Sequence, residues 1–155
     1  MKPTHQVCIR GDGITGCALA LQLARQGLGV ALVGAGSQAD AGVSDVRAYS
    51  LNAGSKQLLQ SLNAWPDDAA LQAVNQMSVW GDDGGHIEFA GRSDALSHIV
   101  DVAALQDRLR QRVSEQALIV RMIEPVPALL TVLCEGRHSA TRKAWGLDMQ
   151  RHLYE

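Results

Sequence analysis

Six residues near the amino terminus, Gly11-Asp12-Gly13-Ile14-Thr15-Gly16, have the types and spacing needed to bring main-chain amides onto a diphosphate. Each glycine has its own physical task in such a loop. Gly11 allows a tight turn, Gly13 lets the backbone approach a pyrophosphate, and Gly16 lets a helix pack closely on a strand. Unpaired amides and the positive end of a helix dipole then favour the anion. Three glycines at this spacing also occur in ordinary surface turns, so the flanking elements decide between the two readings.

Those elements have the required order. Val7-Cys8-Ile9-Arg10 is a short apolar run with β-branched members and reads as a strand. Ile14 to Gln26 is strongly apolar with helical spacing, and Gly27 supplies a stop. Val30-Ala31-Leu32-Val33 is a second continuous apolar run, as a parallel strand covered on both faces requires. The unit is therefore β-α-β. One piece departs from the dinucleotide pattern, in which an acid at the end of the second strand takes the adenosine ribose hydroxyls. Gly34 stands there. Either Ser37 or Asp40 in the following loop substitutes, or the contact is lost at a cost of about 0.5 to 1.5 kcal/mol.

The rest of the composition excludes several other chemistries. A chain of 155 residues holds one sizeable core, so a single domain spanning 1–155 is expected. A net charge of -2 without any dense basic run gives no footprint for nucleic acid or an anionic membrane, leaving small ligands. Cys8, Cys17 and Cys134 are odd in number and widely spaced, which fits small buried apolar residues better than disulfides or thiolate ligands. The histidines, at positions 5, 86, 98, 138 and 152, have no i, i+4 pair, and no metal is expected. The opening residues lack the apolar core of a secretory signal and no stretch is long enough to span a bilayer, so a cytoplasmic protein without a transmembrane segment is expected.

Further along, several blocks recur in the order of one family. Arg47-Ala48-Tyr49-Ser50-Leu51, then Leu58-Leu59 and Asn63-Ala64-Trp65, resemble a stretch of the ubiquinone-biosynthesis polyprenyl-phenol hydroxylases, a branch of the flavin-dependent aromatic monooxygenases. Met77 to Gly81, the Asp82-Asp83-Gly84-Gly85 turn and His86 to Phe89 are similar to that family's next hairpin, here 77–89, where the substrate side begins. Ile99-Val100-Asp101 with Leu105 and Leu109 resembles its following helix entry. Leu133 to Arg142 resembles its second flavin motif, with Glu135 in place of the usual Asp and Gly136 after it.

The resemblance implies FAD as cofactor, NAD(P)H as electron donor and a phenolic or quinone-precursor substrate. It also implies a position peripheral to the inner membrane for full-length members. Gly11, Asp12, Gly13, Ile14, Thr15, Gly16, Arg47, Glu135 and Gly136 become the cofactor-binding residues, with Arg47 beside the flavin, where a guanidinium fork pairs with phosphate or ring oxygens. An isolated loop arginine more commonly has no specific role, and Glu135 to Ser139 also reads as a polar turn before a helix starting near Ser139. Trp65, Trp80 and Trp145 read as core or boundary anchors, and His98 and His138 as surface or hydrogen-bonded residues. No catalytic acid, base or nucleophile is assigned.

The chain departs from the family in two places. Only Glu124 to Ala128 separate two apolar runs, 118–123 and 129–133, where the family has a longer β-rich excursion, so an internal deletion is expected. Leu153-Tyr154-Glu155 resembles the first strand of the family's substrate domain, so an amino-terminal part limited to binding the ADP half of FAD is expected. Two further readings stand beside it: a non-catalytic, self-associating module with uncovered apolar surfaces, and a small NAD(P)-dependent reductase. The expected fold is α/β and Rossmann-like. Its parallel sheet contains residues 7–10, 30–33, 118–123 and 129–133, its helices run near 14–26, 53–62, 102–116 and 139–145, and a small antiparallel hairpin lies beside it.

Overall fold

The computed structural model describes residues 5–34, 46–91 and 94–147. In chain order the elements are β1 (His5–Arg10), α1 (Ile14–Arg25), β2 (Val30–Val33), β3 (Ala48–Leu51), α2 (Ala53–Ser61), a 3-10 turn (Asp68–Ala70), β4 (Leu71–Val74), β5 (Gln76–Trp80), β6 (His86–Ala90), β7 (Ser97–Asp101), α3 (Val102–Ser114), β8 (Ile119–Met122), β9 (Ala128–Leu133) and α4 (Ala140–Ala144). The sequence reading treats 1–155 as one domain, whereas the backbone groups into two compact units: Met1–Gln38 with Gln116–Glu155, and Ala39–Glu115.

The first unit is a four-stranded sheet in the order β8-β2-β1-β9, with every neighbouring pair parallel. Its register sets Val7 against Val30 and Ile9 against Leu32, with Cys8 against Ala31 on the opposite side of the pleat. All four residues of β2 are buried, as its unbroken apolar run requires. Cys8, Ala31 and Val33 form a core cluster with Met122, Val126 and Ala128 packed on it. Cys17, Ala20, Leu21 and Ala24 are the buried face of α1, which packs against β1, β2 and β8. This helix ends where Gly27 adopts φ 80°, and the amides of Gly27 and Leu28 turn back to the carbonyls of Ala24 and Leu23, a Schellman cap.

The second unit holds a three-stranded antiparallel sheet, β3-β7-β4, and the two-stranded hairpin β5-β6. Val100 on the central strand is fully buried between Tyr49 and Leu71. Val102, Leu105, Leu109 and Val113 recur at helical spacing along the buried face of α3. Asp101 accepts the amide hydrogen of Ala104 at 2.8 Å and so caps α3, while Asn52 caps α2 through the amide of Ser55 at 2.9 Å. Asn63, at φ 54°, ends α2 as Gly27 ends α1, with its amide and that of Ala64 returning to Gln60 and Leu59.

The parallel sheet, its four strands, the four helices and the hairpin fall within a residue or two of their expected limits. The sheet β3-β7-β4 has no counterpart in the sequence reading. Its strands are four or five residues long and separated by whole helices and a hairpin, so only tertiary pairing reveals them. The tryptophan reading needs correction for two of three residues. Trp65 is half-buried, with His98 edge-on at 5.6 Å, but Trp80 and Trp145 are 70% and 52% exposed. Trp80 lies on a hairpin whose residues are mostly exposed, and it stacks on His86 at 4.9 Å. Cys8 and Cys17 are buried as expected, and Cys134 is half-buried. The strand resemblance at Leu153-Tyr154-Glu155 lies outside the described residues.

Leu109 makes the most direct test of the second unit's core. Its replacement by Ala should cost about 2–5 kcal/mol of unfolding free energy, read from urea denaturation, because the side chain is fully enclosed.

Candidate functional site

The glycine loop sits between β1 and α1, at the carboxyl end of the parallel strands. Gly11 takes φ 112°, in the region that L side chains avoid, and a Cβ there would lie 2.3 Å from the carbonyl oxygen of Cys134. A Cβ on Gly16 would lie 1.8 Å from the carbonyl oxygen of Gly11. Gly16 therefore packs α1 onto the loop's own first turn, a closer partner than the strand the sequence suggested. Gly13 is different, because a Cβ there would meet nothing within 4 Å. Two glycines are demanded by packing, and the third borders open space.

That open space faces the start of α1. Gly13 is the N-cap and gives no side-chain cap, and no acidic residue occupies the first turn. The helix's leading amides thus keep their donors and their positive dipole end for an anion. Asp12, between the two leading glycines, turns its carboxylate away to Arg121 Nη2 on β8, at 3.2 Å.

Glu135 and Gly136 follow β9 and are brought beside the same loop, since the Cys134–Glu135 backbone is what would block a Cβ on Gly11. Gly136 adopts φ 74°, and a Cβ there would meet nothing within 4 Å. The Glu135 carboxylate is spent inside the fold. It accepts from Ser139 Oγ at 2.6 Å and from Thr141 Oγ1 at 2.7 Å. Arg10 Nε lies 2.9 Å away, an ion-pair distance at which the N–H is not aligned for a hydrogen bond. The Ser139 oxygen meanwhile accepts the amide hydrogen of Arg142 and so caps α4. The Ser139 and Thr141 hydroxyls hold the Glu135 carboxyl below the usual range; desolvation opposes them, and the Arg10 charge adds a smaller lowering effect. The helix start expected near Ser139 is present, and Glu135 organises it.

Thr15, Leu133, Cys134, Gly136, Ser139 and Arg142 line a cavity of about 580 Å³ next to the loop. Burial pushes the Cys134 thiol up, so it stays protonated at neutral pH. Arg47 belongs to the second unit. It precedes β3, its carbonyl accepts the Val102 amide hydrogen at 3.0 Å, and it borders a cavity of about 770 Å³ with Pro66, Leu71, Ile99 and Arg108. Within the first unit, then, the structure brings together residues 11–16, 135 and 136. Ser37 and Asp40 lie outside the described residues. The sequence reading missed Arg10, Arg121, Ser139 and Thr141 as partners of the site. The Ser-x-Thr spacing after Glu135 was the one available signal. Among the described residues, no group of His, Cys, Asp or Glu gathers to hold a metal ion.

A parallel sheet with a glycine turn opening onto an uncapped helix start defines a dinucleotide-binding α/β protein. The family model described as FAD dependent oxidoreductase matches residues 6–142, and the chain belongs to that family, whose cofactor is FAD. No curated protein sequence matches. Among solved structures, the chain resembles a probable FAD-dependent monooxygenase, PqsL, from Pseudomonas aeruginosa, at a TM-score of 0.72 and 17% identity over 97% of this chain and 48% of that one. The p-nitrophenol 4-monooxygenase PnpA from Pseudomonas putida gives a TM-score of 0.69 and 12% identity over 94% and 44%. The anhydrotetracycline hydroxylase OxyS from Streptomyces rimosus gives 0.70 and 18% over 92% and 34%. The chain therefore spans less than half the length of these structures, and at such identities the likeness is one of fold.

Two outcomes follow from the packing. Gly16→Ala should lower the melting temperature by several degrees, because its Cβ strikes backbone, while Gly13→Ala should leave it within about a degree, as a Cβ in open space displaces nothing. Glu135→Gln should remove a pH-dependent part of stability. The native carboxyl is depressed, so Glu135 stabilises fully above the ordinary glutamate range, about 4.3, and the contribution fades as pH falls through its lower native value. Urea unfolding of both proteins between pH 7 and pH 3 should show the two curves converging toward acid.

Proposed function

We propose that this chain binds the ADP half of FAD in a flavin-dependent aromatic monooxygenase of the phenol-hydroxylase type, acting on a polyprenyl phenol in ubiquinone biosynthesis. The observation that carries the first part is the contrast among the glycines. Gly11 and Gly16 are locked against backbone, and Gly13 leaves a vacant approach to the free amides of Ile14, Thr15 and Gly16. The positive end of the helix suits the charge of a diphosphate. The order of the sequence blocks supports the ring-hydroxylase part, as does a fold shared with proteins described as an FAD-dependent monooxygenase, a p-nitrophenol monooxygenase and a tetracycline-precursor hydroxylase.

In this reading the cofactor, reduced by NAD(P)H, supplies the redox and oxygen chemistry, and the chain supplies binding and orientation. Residues 11–16 hold the diphosphate. Gly136 lets main chain run close along the cofactor, and Glu135 fixes that turn through Ser139 and Thr141 rather than by touching the ligand. For Arg47 the family resemblance alone supports a cofactor role, its guanidinium being suited to phosphate or ring oxygens. A second reading, a self-associating module, is supported by exposed apolar side chains at both edges of the sheet: Ile123, just after β8, is 84% exposed, and Leu129 and Leu130 on β9 are 74% and 56% exposed. Light scattering of the wild type and of Leu130→Lys would reveal an oligomer that the charge disperses.

FAD or ADP at a hundredfold excess over its Kd should stabilise the chain by about 2.7 kcal/mol, a melting shift of several degrees that NADH does not match. Gly13→Ala, which folds normally, should lose most of that shift. Equal melting curves with and without ligand would sink the binding claim.

A further inference from the structure

The adenosine ribose lacks its usual partner at Gly34, and the geometry points to a replacement that comes from inside the glycine loop. We propose that the Asp12 carboxylate receives the ribose hydroxyls, held in place by Arg121 and admitted by the missing side chain at Gly34. This rests on the reading that the chain binds the ADP half of FAD.

Gly34 follows β2 directly, and its amide donates to the Met122 carbonyl at 3.1 Å, continuing the pairing with β8. A Cβ built on Gly34 would lie 2.1 Å from Asp12 Cγ and 2.2 and 2.6 Å from the two carboxylate oxygens. An aspartate at 34 would have its own carboxyl carbon one C–C bond, about 1.5 Å, from that Cβ. The Asp12 carboxyl carbon thus stands close to where an acid of the usual kind would begin, reached from the other side. With Asp12 in this rotamer there is no room for a side chain at 34, and Asp12 would have to swing aside to admit one.

Electrostatics supports the same assignment. A lone carboxylate between Gly11 and Gly13 would oppose a diphosphate at the neighbouring amides. Arg121, opposite Leu32 in the β2-β8 register, pairs with Oδ2 at 3.2 Å and offsets that charge. Among the described residues Oδ1 accepts no hydrogen bond, and the Asp12 side chain keeps 22% of its surface open. A carboxylate has about four acceptor sites, which leaves room for a vicinal diol. An ordinary surface ion pair accounts for the contact with Arg121 but not for the space cleared at Gly34.

Isothermal titration of the full chain with ADP and with 2′,3′-dideoxy-ADP tests the assignment without any catalytic readout. The wild type should bind ADP roughly tenfold or more tightly than the dideoxy compound, the scale of hydrogen bonds to a charged acceptor. Asp12→Ala should bind both with the wild type's dideoxy affinity, which also certifies its fold. The double change Asp12→Gly with Gly34→Asp should restore the preference by returning the acid to β2. If Asp12→Ala binds neither compound, the double variant decides: a restored preference supports the assignment, and its absence overturns it. Equal wild-type affinities, or an undiminished preference in Asp12→Ala, would overturn it while leaving the ADP site standing. A wild type that binds neither compound would overturn the ADP site and this assignment together.

Discussion

The contact on which the first unit's site depends is between two glycines. The Gly11 carbonyl lies where a Cβ on Gly16 would be, so the first turn of α1 rests directly on the turn that leaves β1. Gly11 itself is pressed against the Cys134 carbonyl at the end of β9. Two strand ends and a helix start thereby converge within van der Waals distance. That closeness makes the amides of α1 face outward as a group, and beside it Gly13 and Gly136 both border open space.

Around this contact, charge is distributed with little left unbalanced. Two acids flank the loop, Asp12 within it and Glu135 beside it, and each is answered by a basic residue from the parallel sheet: Arg121 from β8 and Arg10 from β1. Glu135 is further saturated by two hydroxyls and works as a structural knot for the β9-α4 turn. Asp12 keeps an oxygen and part of its surface open. The two side chains are almost equally exposed and differ in bonding: Glu135 is saturated by the fold, and Asp12 Oδ1 accepts no hydrogen bond among the described residues.

The glycine loop, its flanking strand and helix, and the second strand were legible because each leaves a local signature: a β-branched run, three glycines at fixed spacing, and a 3.6-residue apolar period closed by Gly27. The capping residues Asn52, Asp101 and Ser139 are short polar side chains standing immediately before their helices. The sheet β3-β7-β4 left no such trace. Its outer strands are mostly solvent-facing and carry no clean alternation, and their pairing spans some fifty and some twenty-five residues of chain, so nothing local encodes it.

For the site, the sequence by itself determined which residues can approach a diphosphate, because that depends on which positions lack a side chain. It also identified the missing acid at Gly34. What only the tertiary structure decided was the use made of the space left there and of the carboxylate of Glu135. Arg121 follows Asp12 by 109 positions, and Thr141 follows Glu135 across the turn into α4. The Asp12–Arg121 partnership is set by strand order and register, the Glu135–Thr141 one by the local turn. A charge finds its counter-charge by distance in space, and distance along the chain carries almost no information about it.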